Sequence, residues 1–217
     1  PAMHRFTLLL VIALSAVAGV TSLKATETDD PGLDVVESKT FDTLLQAQNA
    51  DWTRFDTVHV AMPEVSFRKN WQRDQNRFDS LHVRDRDVER IQNDVAELVR
   101  DVLQTQFTNE GWRLADEPGA DVLVLRPDIV DLDITAPDVP GNTLRDTYSD
   151  SAGSMTLDLK VSDGASGAPL LHVVDHKEDP REAYLQWRKR PNNLHQARIM
   201  VRSWARELTD LLGSREA

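Results

Sequence analysis

Gly153-Ser-Met-Thr-Leu-Asp-Leu-Lys-Val-Ser-Asp-Gly-Ala-Ser-Gly-Ala-Pro-Leu-Leu-His-Val-Val-Asp-His176 is the stretch that decides the fold. Met155, Leu157, Leu159 and Val161 fall on one side of an extended chain, and Ser154, Thr156, Asp158, Lys160 and Ser162 on the other. That alternation is the signature of a strand with one buried face. Asp163 to Gly167 supplies residues that tolerate tight turning, and Leu170 to Val174 is apolar enough to return beside the first arm. The stretch therefore reads as a long hairpin on which helices can be laid.

Outward from the hairpin, two helices are legible. Val88, Ile91, Val95, Leu98 and Val102 recur at spacings of three and four behind Asp87, a candidate N-cap, and Gly111 is a candidate stop. Leu194, Ala197, Val201, Trp204, Leu208 and Leu211 repeat the pattern before Gly213. Strands are expected at Thr57–Phe67, with a bend at Pro63, and at Asp121–Leu125, which is apolar on both faces as an interior strand would be. Arg68 to Arg86 reads as a polar connection. The fold class is α+β: a two-layer α/β sandwich, with a mostly antiparallel mixed sheet of four to five strands and two main helices on one face.

At 217 residues the chain is long enough for one ordinary domain and short for two. Its net charge of −11 argues against general nucleic-acid binding, which needs a basic face. It has no cysteine, so disulfides, thiolate nucleophiles, cysteine zinc sites and a lipidated cysteine are excluded from this sequence. Pro1-Ala2 ahead of Met3 reads as an added remnant. Met3-His4-Arg5, the apolar run Phe6 to Ala18 and the small residues Ala16-Val17-Ala18 have the layout of a cleaved signal peptide. That run is shorter than the roughly 20 residues of a membrane span. The organisation expected is a signal peptide at 1–18, a flexible leader at 19–50 and a single α/β domain at 51–213. The mature product would be periplasmic or secreted, with no stable membrane span and no lipid anchor.

Three segments carry a resemblance. Asp51 to Phe67 sets an aromatic before a strand and a Pro-x-Val step; the hairpin turns through Asp163 to Gly167; Val201-Arg-Ser-Trp-Ala-Arg-Glu-Leu208 is an aromatic-containing closing helix. Together they resemble a family of bacterial envelope proteins, often lipoproteins, catalogued as domain of unknown function 3313. The resemblance implies an envelope location and this fold, and brings no established activity. This chain departs from many such proteins in having no lipobox cysteine.

No nucleophile elbow, phosphate loop, dinucleotide fingerprint or helical zinc motif is present. His172 and His176 share a strand face but sit about 13 Å apart, too far to chelate one ion on a straight strand. Asp131 and Asp133 read as the wet face of an amphipathic strand. The reading assigns no catalytic residue, no metal and no cofactor. Two basic-aromatic clusters stand out in an acidic protein: Arg68, Trp71 and Arg73 in Phe67–Phe78, and Tyr184, Trp187, Arg188 and Arg190 ahead of the last helix. A tryptophan beside arginine can stack on a sugar or ring while the guanidinium grips an anion. The expectation is a non-catalytic binding or accessory module whose partner is an envelope protein, an anionic glycan or a lipid head group. A hydrolase of envelope polymers, using Asp131, Asp133 or the histidine strand, and a self-associating structural subunit are the alternatives.

Overall fold

The computed structural model describes residues 31–78, 83–134, 147–149, 153–178, 186–188 and 190–215. In chain order β1 spans Asp34–Val35, β2 Thr43–Gln46, a 3₁₀ turn Trp52–Arg54, β3 Thr57–Val60 and β4 Val65–Phe67. Helices α1, Trp71–Phe78, and α2, Asp85–Asn109, precede β5, Arg113–Leu114, and β6, Val122–Ile134. Then come β7, Thr147–Ser149, β8, Gly153–Asp163, β9, Pro169–Glu178, β10, Gln186–Arg188, and α3, Arg190–Leu212.

The hairpin is the spine of the sheet. β8 pairs β9 antiparallel from Ser154 opposite Glu178 to Ser162 opposite Pro169, and pairs β6 along its other edge. The main sheet has eight strands, ordered β1-β2-β9-β8-β6-β3-β5, with β4 also lying on β6. β3, β4 and β5 join in parallel, which requires the long crossover that α1 and α2 provide. β7 and β10 form a separate two-stranded antiparallel pair. The fold is α+β as expected, with a larger sheet than the four to five strands the pattern suggested.

The period-2 reading holds at atomic level. Met155, Leu157, Leu159 and Val161 lie in one core with Val173, Leu125 and Ile129 of neighbouring strands. Ile91, Val95, Leu98 and Val102 of α2 and Val201, Trp204 and Leu208 of α3 cover that face. Two layers enclose a single core.

Three expectations need correction. The leader was expected to reach residue 50, but Thr43–Gln46 pairs with Val174–Leu171, and Phe41 and Leu44 belong to the core. The polar stretch after Arg68 contains α1, held by Trp71, whose side chain is fully buried. Asp87 does not cap α2 from outside; it is in the first turn, where its carboxylate accepts the Arg84 N–H at 3.1 Å.

Pro63 and Pro127 share one explanation. The Ala61 N–H donates to the Leu125 carbonyl and the Ile129 N–H to that of Glu64, so odd-numbered residues of β6 turn their backbones toward β3 and β4. β3 ends opposite Leu125 and β4 begins opposite Ile129. Pro127, which has no N–H, falls in the gap between them, while its other flank stays in register with Leu159. Gly111 closes α2 at φ +83°, and a Cβ there would meet the Arg215 carbonyl at 2.0 Å, so only glycine fits.

One polar contact crosses the core. The Trp204 Nε1–H donates to Asp175 Oδ2 at 2.7 Å, and both residues are buried. The other oxygen of Asp175 accepts the Asp42 N–H at 3.1 Å, and Lys177 Nζ lies 3.6 Å away. Trp204→Phe keeps most of the ring and removes the donor, leaving part of a buried carboxylate unsatisfied. We expect a loss of about 1–3 kcal/mol, read as a lower urea midpoint with an unchanged m-value.

Candidate functional site

The first basic-aromatic cluster forms a corner where β4 runs into α1 and faces the start of α2. Phe67 and Trp71 stack with ring centroids 4.0 Å apart and planes 19° from parallel. Trp71 is 1% exposed and its indole N–H donates to the Ile134 carbonyl at 3.0 Å. Its expected role as an exposed stacking platform is therefore corrected: Trp71 anchors α1 and supports Phe67 from below. Phe67 is half-buried and lines a cavity of about 350 Å³ at this corner. Val88 completes the apolar part, and Ser66, Asn70, Gln72, Arg73 and Gln92 supply polar walls. The volume lies at the small end of the range for small-molecule sites, roughly 300–1,000 Å³.

Arg68 also lines the cavity, but its charge is engaged. Its guanidinium reaches Asp133 at 2.7 Å and Asp74 at 3.0 Å. The hydrogen bond it donates to Asp74, and then the one it donates to Asp133, hold its pKa above the ordinary arginine value. The same arginine, through its hydrogen bond, holds the Asp74 carboxyl below the usual carboxylate range. Arg73 is exposed and shares Asp74 at 3.5 Å. Gln92 Nε2 donates to the Val65 carbonyl at 2.7 Å, and Gln72 Nε2 to Asp85 and the Val83 carbonyl. Among the described residues, the Asn70 carboxamide and the Ser66 hydroxyl have no protein partner.

The second cluster is described only in part. Trp187 and Arg188 lie in β10, with Trp187 opposite Tyr148 and Arg188 opposite Thr147 of β7. Arg190 opens α3, and Tyr184 lies outside the described residues.

The residues of the hydrolase alternative do not converge. β6 carries an irregularity between Val130 and Asp133, with Asp131 at φ +53° and exposed while Leu132 is buried. Asp133 is bound to Arg68, so the two aspartates are not a working pair. His172 is buried on the sheet face away from the helices, and its Nε2 lies 2.8 Å from Asp158 Oδ1. That hydrogen bond is the main cause of a lowered Asp158 pKa. His176 is exposed and bonds Thr156 Oγ1 at 2.9 Å. Among the described residues no group of three His, Asp or Glu could hold a metal ion, and no helix is long and apolar enough to cross a membrane.

What sequence reading missed at the corner was the wall from α2. Gln92 lies one turn beyond Val88, and nothing local connects it with Val65, 27 positions earlier in the chain. Asn70 carried a weak signal, because asparagine is among the few residues that accept its φ of +65°. Asn70→Ala is expected to cost about 1 kcal/mol, whereas Asn70→Gly should stay within about 0.5 kcal/mol of the parent in thermal or urea unfolding.

No curated protein matches the sequence. A dodecameric PelC variant from Paraburkholderia phytofirmans matches over 80% of this chain and 98% of its own, at 11% identity and a TM-score of 0.41. A minor lipoprotein from Acinetobacter baumannii matches over 73% of this chain and 92% of its own, at 10% identity and a TM-score of 0.34. The sequence model of one family matches residues 37–208, which take in every strand but β1, with α1, α2 and most of α3. The chain belongs to that family, described as protein of unknown function (DUF3313).

Proposed function

We propose that this protein is an exported, non-catalytic binding module of the bacterial envelope, and that it binds through the corner formed by β4, α1 and α2. The observation that carries the reading is the cavity of about 350 Å³, whose half-buried aromatic wall is rimmed by amides, a hydroxyl and a guanidinium. Those groups hold and orient a ligand, and none of them is paired as nucleophile with base. Export rests on the signal-peptide layout of Met3 to Ala18.

A hydrolase would need acid and base groups within reach of one substrate bond. Here Asp133 is bound to Arg68, and the His172–Asp158 pair lies on the sheet face away from the helices.

The test is capture from envelope extract by the purified chain, beside an Asn70→Gly/Arg73→Ala variant. Glycine accepts the φ of Asn70, and Arg73 is mostly exposed, so the variant should keep the parent's unfolding midpoint. Capture by the parent with a loss of about tenfold or more in the variant is the expected result. Equal capture by both, or none by either, overturns the reading.

A further inference from the structure

We infer that the cavity between β4, α1 and α2 takes an uncharged sugar unit of an envelope glycan, held by its hydroxyl groups, in place of the anionic ligand that the arginines suggest. The inference rests on the binding-module reading above and names its ligand class.

Charge is the first argument. Arg68 contacts Asp74 and Asp133, and Arg73 shares Asp74. Two arginines and two aspartates come close to cancelling at the rim. An anion would have to compete with carboxylates already at 2.7 and 3.0 Å from Arg68, in a protein whose net charge is −11. An uncharged ligand meets no such opposition.

The unused hydrogen-bonding groups are the second. The Ser66 hydroxyl both donates and accepts, as does the carboxamide of Asn70. Gln72 and Gln92, which also line the cavity, spend Nε2 hydrogens on backbone carbonyls and Asp85, and their Oε1 atoms remain as acceptors. A wall that offers both donors and acceptors complements adjacent hydroxyls, each of which donates and accepts. Planar amides can span two such hydroxyls with two parallel bonds. Phe67, one face covered by Trp71, adds an aromatic surface against which the C–H face of a sugar ring can pack. A cavity at the small end of the small-molecule range suits one or two rings.

The edge of β4 is closed to a peptide laid along the strand. The Glu64 carbonyl and Arg68 N–H bond to β6, so the Val65 carbonyl points to the outer edge of β4. Gln92 caps that carbonyl at 2.7 Å. An added strand would find its first acceptor occupied.

The experiment is a titration of the ¹⁵N-labelled chain with maltotriose, mannotriose and chitotriose, and with trigalacturonate and inorganic phosphate as charged probes. The readouts are the backbone amides of Ser66 to Arg73 and the Trp71 indole. Saturable shifts with at least one neutral trisaccharide, insensitive to added salt and weakened about tenfold by Asn70→Gly or Ser66→Ala, are expected. Shifts with the charged probes alone, fading as salt screens them, would overturn the inference. So would no shift with any probe. If envelope capture depends on Asn70 and Arg73 but resists competition by all three neutral sugars, the binding module stands and the sugar falls. A protease-sensitive captured partner would then mark the ligand as protein. If capture is also indifferent to the variant, both readings fall together.

Discussion

A carboxylate in the wrong place for a strand organises this domain. Asp175 sits on the core side of β9, in the row that continues Leu171 and Val173, both buried in the apolar core. An ionised carboxylate there is tolerated only with partners. It has three, from three parts of the chain: the Trp204 indole, the Asp42 amide and the Lys177 ammonium. Lys177 also grips Glu207 at 2.9 Å, so the same knot fixes a second turn of α3. Helix, hairpin and the start of β2 are positioned against one another at this point, and apolar packing fills the space between.

The corner with the cavity depends on the same layering. α1 is polar along most of its described length; Trp71, at its start, ties it to the core and stacks on Phe67 at the end of β4. β6 carries its irregularity between Val130 and Asp133, and there Asp133 meets Arg68 at 2.7 Å and offsets its charge. The Asn70 carboxamide and the Ser66 hydroxyl are left over from these structural contacts. A cavity of this kind is a by-product of how a strand end, a short helix and a long helix meet.

Legibility followed range. The alternation of β8 and the stripes of α2 and α3 are local patterns with one dominant period, and the residues they placed inside are inside. β2 was hidden because Leu44 and Leu45 are both buried, on opposite faces of the sheet, so Thr43–Gln46 shows no alternation and follows a polar leader. Trp71 looked exposed because its chain neighbours are charged or polar, yet it is buried at the start of the helix and anchors it. Asp175 lies one position past the arm Leu170 to Val174 that reads as a strand, and its partner lies 29 residues on. Of the corner, Arg68 and Arg73 were visible as residue types. The neutralisation of Arg68 was not, because it depends on Asp133, 65 positions away and turned by an irregularity in β6.

The order of strands also sets a timetable for folding. β2, near the start of the described chain, has as its partners β1 and β9, and the Asp42 amide waits for a carboxylate 133 positions downstream. At the other end, Arg215 donates to the Phe55 and Trp52 carbonyls across 160 and 163 residues and lies over Trp112 at 3.8 Å. Contacts that long close loops of high entropic cost and place the domain among slow folders. During synthesis the sheet cannot be completed, nor its last helix seated, until almost the whole chain is available. A chain with that property remains extended for longest at the stage when it is still emerging.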